Sequence, residues 1–135
     1  MTTYLALSIE RVIDIHNRII IDAGGKEGIR DFTLLHSALE RCKVTFAGED
    51  LYPTIYDKGS ALLHSLIMNH PFLDGNKRTA HALTSAFLNS NGFFIIASQD
   101  EIVRFCISID NDGIRGKEIV SWLKKNTVKK APVIF

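Results

Sequence analysis

The segment 70–81, with the sequence HPFLDGNKRTAH, concentrates residue types suited to acid–base and phosphate chemistry. His70 carries an imidazole, which exchanges a proton near neutral pH and is therefore the natural general base. Asp74 offers a hard carboxylate oxygen of the kind that Mg²⁺ prefers. Lys77 supplies a point charge and Arg78 a forked donor, and both suit phosphate oxygens. Together these side chains indicate transfer of a phosphoryl or nucleotidyl group.

The middle of the segment can bring a phosphate close to the backbone. Gly75 has no side chain in the way, and it precedes a predicted helix start, where free N–H groups favour an anion. Asn76 can hydrogen-bond a phosphate, the metal shell or the loop itself. Taken singly, these residues also have plainer roles, since His70 and Asp74 can cap helices and Lys77 can be a surface cation. Their concentration at one junction is hard to explain by packing alone.

The flanking sequence predicts two central helices with the motif between them. Residues 61–68 have apolar helical spacing, and this helix must end near His70 because Pro71 disfavours helical geometry at the residue before it. Helical spacing resumes over residues 79–88. We therefore expect His70 at the end of one helix, with its ring facing a cleft, and the motif loop leading into the next helix.

The whole pattern predicts an all-α fold, a compact bundle of about six helices with short links and no convincing sheet. Residues 43–52 lack periodicity and are predicted to form a loop or a short extended flap. Residues 93–97 form a short apolar run that could be a strand, but because the sequence shows no obvious partner strand they are predicted to be a buried connector. His16, within the first helix, is interpreted as structural. Arg30 could reach an acidic partner elsewhere, but a pair with the adjacent Asp31 is expected.

Composition limits the class of protein further. A chain of 135 residues predicts one domain, here over residues 1–126, with a basic tail over residues 127–135. No apolar run reaches the ~18 residues needed to cross a bilayer, and no secretion signal is visible, so no membrane contact and a cytoplasmic location are expected. The net charge of +1 gives no support for nucleic-acid binding. Cys42 and Cys106 lack metal or redox spacing and are expected to be buried thiols.

Residues 70–78 resemble the hallmark of the Fic/Doc family, His-Pro-Phe-x-Asp/Glu-Gly-Asn-x-Arg, at every defined position. The flanking stretches that are similar to the Doc (death-on-curing) branch are residues 24–25, 28–31, 35–39 and 91–92. The resemblance thus covers most of the chain, and it implies the Fic/Doc fold.

The resemblance also implies roles, cofactors and partners. His70 would be the catalytic base, Asp74 would bind Mg²⁺, and the phosphates of the co-substrate ATP would be held by Gly75, Asn76, Lys77 and Arg78. The implied acceptor is a hydroxyl of a target protein, with a translation factor as the expected target. Residues 43–52 lie where family members have a flap that aligns the target. Doc-like proteins are neutralised by a small antitoxin, which implies an apolar groove beside the first helices.

Two positions bear on which group is transferred. Relatives that transfer AMP usually have a glycine where this chain has Lys77 and an arginine where it has His81. Lys-Arg-Thr after Asn76 is the form seen in Doc-like toxins, which the family associates with phosphoryl transfer from ATP. The resemblance therefore favours a toxin-type kinase, with AMP transfer (AMPylation) and a non-catalytic binding module as the alternatives.

Overall fold

The computed structural model describes residues 4–133, and this range contains six helices and two short antiparallel strand pairs. In chain order the elements are α1 (Ile9–Ala23), α2 (Phe32–Arg41), β1 (Thr45–Phe46), β2 (Glu49–Asp50), α3 (Ile55–Asn69), α4 (Asn76–Ser90), β3 (Phe93–Ile95), α5 (Gln99–Asp112), α6 (Gly116–Lys125) and β4 (Thr127–Lys129). The predicted all-α class with about six helices is confirmed. Over the same range, no helix has both the length and the apolar composition needed to cross a bilayer.

Helix α3 lies at the centre of the bundle and packs against α2, α4, α5 and α6. Its residues 58–63 are all buried, so the helix is surrounded on most sides rather than packed along one stripe. Gly59 allows a close approach, since a Cβ atom there would lie 3.2 Å from Leu88 Cδ2 of α4. Because α3 is fixed along its length, the residue at its C-terminal end is positioned by the core.

Four of the helices begin at a side chain that accepts a hydrogen bond from a backbone N–H of the first turn. These residues are Ser8 of α1, Asp31 of α2, Thr54 of α3 and Ser98 of α5. Helix α4 differs, because its N-cap is Gly75, which has no side chain to accept such a bond. The first N–H groups of α4 are therefore left for another acceptor.

Residues 93–95 form strand β3, which pairs antiparallel with β4. The prediction of a buried connector at this position is wrong. The partner strand lies after two intervening helices, at the start of the predicted tail, where exposed lysines suggested a solvated end rather than a strand. The predicted division at residue 126 stays a prediction; residues 1–3 of the predicted domain and 134–135 of the predicted tail lie outside the described residues.

Residues 45–50 form a hairpin, here called the flap, so the flap alternative predicted for this stretch is confirmed. Its two-residue turn is Ala47-Gly48, with φ values of 53° and 82°. Positive φ at both residues matches the turn type that suits the twist of a short hairpin. The side chain of Phe46, next to this turn, is 77% exposed.

The root of the flap is fastened to α3 by Lys58, which is only 1% exposed. Its Nζ donates to the carbonyl of Tyr52 at 2.6 Å and to that of Cys42 at 3.4 Å. It also pairs with Asp50 Oδ2 at 3.3 Å and lies 4.6 Å from the centre of the Tyr4 ring. A buried cation thus holds both the strand β2 and the segment that follows it.

Replacing Lys58 with methionine should loosen the flap and destabilise the protein. Asp50 and the carbonyl of Tyr52 would lose a buried donor, a loss that typically costs about 3 kcal/mol. We expect urea denaturation to show a fall of that order in the free energy of unfolding, with faster amide hydrogen exchange at residues 45–50. The control, Lys43→Met at an exposed lysine, should change stability by less than about 1 kcal/mol. Equal stability of the Lys58 variant and the wild type would contradict the anchoring role.

Candidate active site

His70 lies at the C-terminal end of α3, as predicted, in the left-handed conformation with φ 45° and ψ 57°. This conformation is unfavourable for a residue with a side chain and must be held by its surroundings. Arg30 holds it, because Nε donates to the His70 carbonyl at 2.7 Å and Nη2 to the Asn69 carbonyl at 2.8 Å. Arg30 therefore does not make the predicted pair with Asp31, whose carboxylate instead caps α2 by accepting from the Leu34 N–H. The imidazole of His70 remains 45% exposed.

The motif loop is held from behind by the connector between α1 and α2. The Pro71 carbonyl accepts hydrogen bonds from the N–H groups of Arg30 and Asp31, at 2.7 and 3.1 Å. The N–H of Leu73 donates to the Gly28 carbonyl at 3.1 Å. These backbone bonds fix the path of the loop without using any side chain of the motif.

Phe72 and His16 support the loop from the core side. Phe72 is 2% exposed, and its ring stacks on that of His16 with centroids 4.0 Å apart. His16 Nε2 donates to the carbonyl of Asp74 at 3.1 Å, and since a carbonyl only accepts, this nitrogen carries the proton. The structural role predicted for His16 is confirmed, and it serves the motif directly.

The side chain of Asn76 closes the loop on itself. Its Oδ1 accepts from the N–H of Phe72 at 2.9 Å, and its Nδ2 donates to the carbonyl of Phe72 at 3.0 Å. The carboxamide was predicted to bond a phosphate, the metal shell or the loop, and in the structure it bonds the loop. The backbone N–H of Asn76, in the first turn of α4, is the group that this residue offers to an anion.

Asp74 lies beside the start of α4 with an exposed carboxylate. Oδ1 accepts from the Gly75 N–H at 2.9 Å and Oδ2 from the Lys26 N–H at 3.3 Å. A Cβ atom at Gly25 would lie 2.7 Å from Oδ2, so a larger residue there would displace the carboxylate. Among residues 4–133, no three His, Cys, Asp or Glu side chains come together as a metal cluster. A Mg²⁺ ion on Asp74 would therefore draw its remaining oxygen ligands from a nucleotide and from water.

The first turn of α4 concentrates positive charge. Gly75 has a φ of 70°, which glycine adopts freely, and it places the uncapped N–H groups of the helix next to the motif loop. Lys77 and Arg78 occupy the same turn, so their charges add to the positive end of the helix dipole. The structure thus brings Asp74, Gly75, Lys77 and Arg78 together around one helix start.

A carboxylate absent from the predicted site, Asp110 of α5, lies against both His70 and Lys77. Its Oδ2 is 2.8 Å from Lys77 Nζ, a charge-assisted hydrogen bond, and 3.7 Å from His70 Nε2, an ion-pair distance. The hydrogen bond from Lys77 is the main cause that holds the pKa of Asp110 below its usual range, against a smaller rise from desolvation. The signal in the sequence is its spacing, because Asp110 follows the buried Cys106 by four positions and so shares its helix face.

His81 lies one turn after Lys77 on α4, where its Nε2 is 3.2 Å from Ser85 Oγ. Desolvation by burial lowers the pKa of His81. The imidazole is therefore neutral near pH 7 and adds no positive charge to this face of α4.

Two clefts of the described surface are lined by residues outside the motif loop. The basic cleft, of about 520 Å³, lies between α3, the segment after the flap and the start of α6, and its lining includes Arg41, Tyr52, His64, Met68 and Arg115. The α1–α4 groove, of about 590 Å³, is lined by Asp14, Ile15, Arg18, Ala82, Ala86 and Asn89, among others. Burial, followed by the charges of Arg41 and Arg115, lowers the pKa of His64. The lining of this cleft thus combines the two arginines with the carboxylate of Asp57.

Comparison with known proteins identifies relatives of this architecture. A model of the Fic/DOC family matches residues 6–88. The chain is also 47% identical over 77 residues to the Toxin Doc of Mycolicibacterium smegmatis, a match that covers 57% of this chain and 59% of that protein. The chain thus matches less than two thirds of the length of this relative. The residues matched by the family model run from before α1 into the last turn of α4 and contain the whole motif loop, whereas Asp110 lies beyond them.

Removing the carboxamide with Asn76→Ala should open the motif loop. The N–H and carbonyl of Phe72 would both lose a partner, and at roughly 1 kcal/mol for each hydrogen bond the free energy of unfolding should fall by about 2 kcal/mol. Urea denaturation measures this difference. Asn111→Ala, at an exposed position near the end of α5, is the control and should stay within about 0.5 kcal/mol of the wild type. An Asn76→Ala protein as stable as that control would show that other contacts close the loop.

The half-buried His81 should make the stability of the protein depend on pH. Its pKa is lowered from 6.5 in the folded chain, so the unfolded chain binds the proton more readily, and the free energy of unfolding should fall as the pH drops below about 6.5. In His81→Gln the loss of stability between pH 7.5 and pH 5.5 should be smaller than in the wild type, as measured by urea denaturation. His36→Gln, at an exposed histidine, serves as the control. An unaltered pH dependence in His81→Gln would refute this prediction.

Proposed function

The chain belongs to the Fic/DOC family, and from that premise we propose that it is a toxin-type transferase that moves the terminal phosphoryl group of ATP to a hydroxyl of a target protein. The observation that carries the proposal is that His70 and Lys77 both lie against one oxygen of Asp110, at the N-terminal end of α4. A proton acceptor and a phosphate-binding cation are thereby neighbours, as transfer to a hydroxyl requires.

The arrangement supplies a base, phosphate-binding groups and a metal ligand for the transfer step. The acceptor oxygen forms a bond to the terminal phosphorus while the bond from that phosphorus to the bridging oxygen breaks, so ADP leaves and the hydroxyl proton passes to His70. The N–H groups of the first turn of α4, with Lys77 and Arg78, hold the phosphate oxygens. Asp74 would hold Mg²⁺, which supplies further positive charge to the phosphates.

The flap is the proposed contact for the target protein. It is only two strands wide, so its outer backbone edges are free to pair with an extended segment. The exposed Phe46 adds an apolar side chain, and the fastening by Lys58 fixes the hairpin relative to α3. A translation factor is the target that the family resemblance suggests, and such a target would place the protein in the cytoplasm.

The α1–α4 groove is the proposed site for an antitoxin. Ile15, Ala82 and Ala86 give it an apolar floor, while Asp14 and Arg18 supply charges at its rim. An amphipathic helix of a partner chain fits such a groove, because its apolar face can bury the floor and its polar face can meet the rim. The toxin name of the Mycolicibacterium smegmatis relative supports a partner of this kind.

AMP transfer is the alternative reaction, since it needs the same base and the same helix start. Two features favour phosphoryl transfer. The chain has Lys77, with its ammonium directed towards α5, where AMP-transferring relatives have glycine. It has a neutral His81 bonded to Ser85 where those relatives have a second arginine.

ATP labelled on the γ or the α phosphate tests the reaction directly. We expect incubation with a bacterial extract to transfer γ label, and no α label, to protein. His70→Ala should reduce the transfer by about 100-fold or more because the general base is lost. His36→Ala, at an exposed histidine on α2, is the matched control and should retain full transfer.

Two results would overturn this proposal. Transfer of α label would replace phosphoryl transfer with AMP transfer. Growth inhibition that persists unchanged in His70→Ala would instead support the non-catalytic binding module.

A further inference from the structure

The carboxylate of Asp110 meets two groups of the site, and the transfer step itself uses neither contact. We propose that Asp110 is an intramolecular counter-ion, which binds the ammonium of Lys77 until phosphate groups displace it and then acts as a positioning residue beside His70. The first half requires only that an anion binds at the start of α4. The second half rests on the proposed function.

The geometry makes Asp110 a competitor of any phosphate that approaches Lys77. Lys77 Nζ lies 2.8 Å from Asp110 Oδ2, so the ammonium already donates a charge-assisted hydrogen bond within the protein. The side chain of Lys77 is 40% exposed and that of Asp110 is 20% exposed. An incoming anion can therefore reach the ammonium, but it has to replace a partly desolvated carboxylate there.

The other groups near Lys77 do not act as the counter-ion of its ammonium. Asp74 already accepts bonds from the N–H groups of Lys26 and Gly75, and Arg30 donates to backbone carbonyls at the end of α3. Cys106, one turn before Asp110, is neutral, because burial raises the pKa of its thiol to about 11. Among the ion pairs of residues 4–133, the acid that meets Lys77 is Asp110.

Displacement of Lys77 changes the surroundings of His70. The same oxygen, Oδ2, is 3.7 Å from His70 Nε2, and without Lys77 its negative charge faces the imidazole alone. A negative charge at that distance stabilises the charged form of the ring, which is the form that His70 reaches when it accepts the hydroxyl proton. Phosphate binding would in this way prepare the base.

Binding of inorganic tripolyphosphate in the presence of Mg²⁺ tests the counter-ion role, because this probe has the phosphate chain without the nucleoside, and no target protein is present to accept a phosphoryl group. We expect Asp110→Asn to bind it roughly fivefold more tightly by isothermal titration calorimetry, the effect of releasing a partly exposed ion pair. Asp112→Asn removes an equal charge two positions along α5, at an exposed site, and should change affinity by less than about twofold. Unchanged or weaker binding by Asp110→Asn, at unchanged thermal stability, would overturn the counter-ion role.

A double-mutant cycle separates this specific pairing from a general effect of charge. In a Lys77→Met background, Asp110→Asn should no longer increase affinity for tripolyphosphate, since there is no ammonium to release. An increase of the same size in both backgrounds would overturn the pairing.

Kinetics test the positioning role. In the labelled-ATP assay, Asp110→Asn should lower the KM for ATP and also lower kcat by about fivefold, and Asp110→Glu should restore part of kcat. An unchanged kcat would overturn this half. If the wild-type protein transfers no label, the proposed function fails, but the affinity for tripolyphosphate still decides the counter-ion role.

Discussion

The geometry of the site depends on the two hydrogen bonds between the Asn76 carboxamide and the backbone of Phe72. They span the motif loop and fix where α4 begins relative to the end of α3. With the loop closed, the Phe72 ring lies in the core against His16, and Gly75 takes its left-handed conformation. Buried backbone groups without partners are costly, so the closed loop is favoured by the protein itself, without a ligand.

The residues that hold the motif from outside come from the first part of the chain. Arg30 is 40 positions from His70, and His16 is 58 positions from Asp74. The left-handed His70 costs about 1–3 kcal/mol, and hydrogen bonds from a charged guanidinium contribute enough to offset it. The same guanidinium places positive charge at the negative end of α3, while the positive end of α4 is left for an anion. The two helices thus meet with opposite dipole ends: Arg30 binds carbonyls at the end of α3, and at the start of α4 the Asp74 carboxylate accepts from the Gly75 N–H.

Sequence reasoning found the features that are set by local patterns. The helices around the motif follow from apolar spacing, capping residues and Pro71, and the position of His70 follows from them. Features set by distant contacts were missed or left open. Strand β3 pairs with a strand that follows two further helices. The hydrogen bonds of the Asn76 side chain depend on the path of the closed loop. Arg30 and Asp110 contact residues that are distant from them in the sequence. In each case the deciding partner is a tertiary neighbour, and a propensity or a motif contains no information about it.

Strand β4 and the segment before α1 are both attached at the far end of α4. The N–H of Leu5 donates to Asn91 Oδ1 at 2.8 Å, and the N–H of Lys130 donates to the Gly92 carbonyl at 2.9 Å. A helix of 15 residues is about 22 Å long, so both segments lie that far from the first turn of α4, the proposed phosphate site. A fluorescent reporter or affinity tag joined through either segment would sit away from the chemistry.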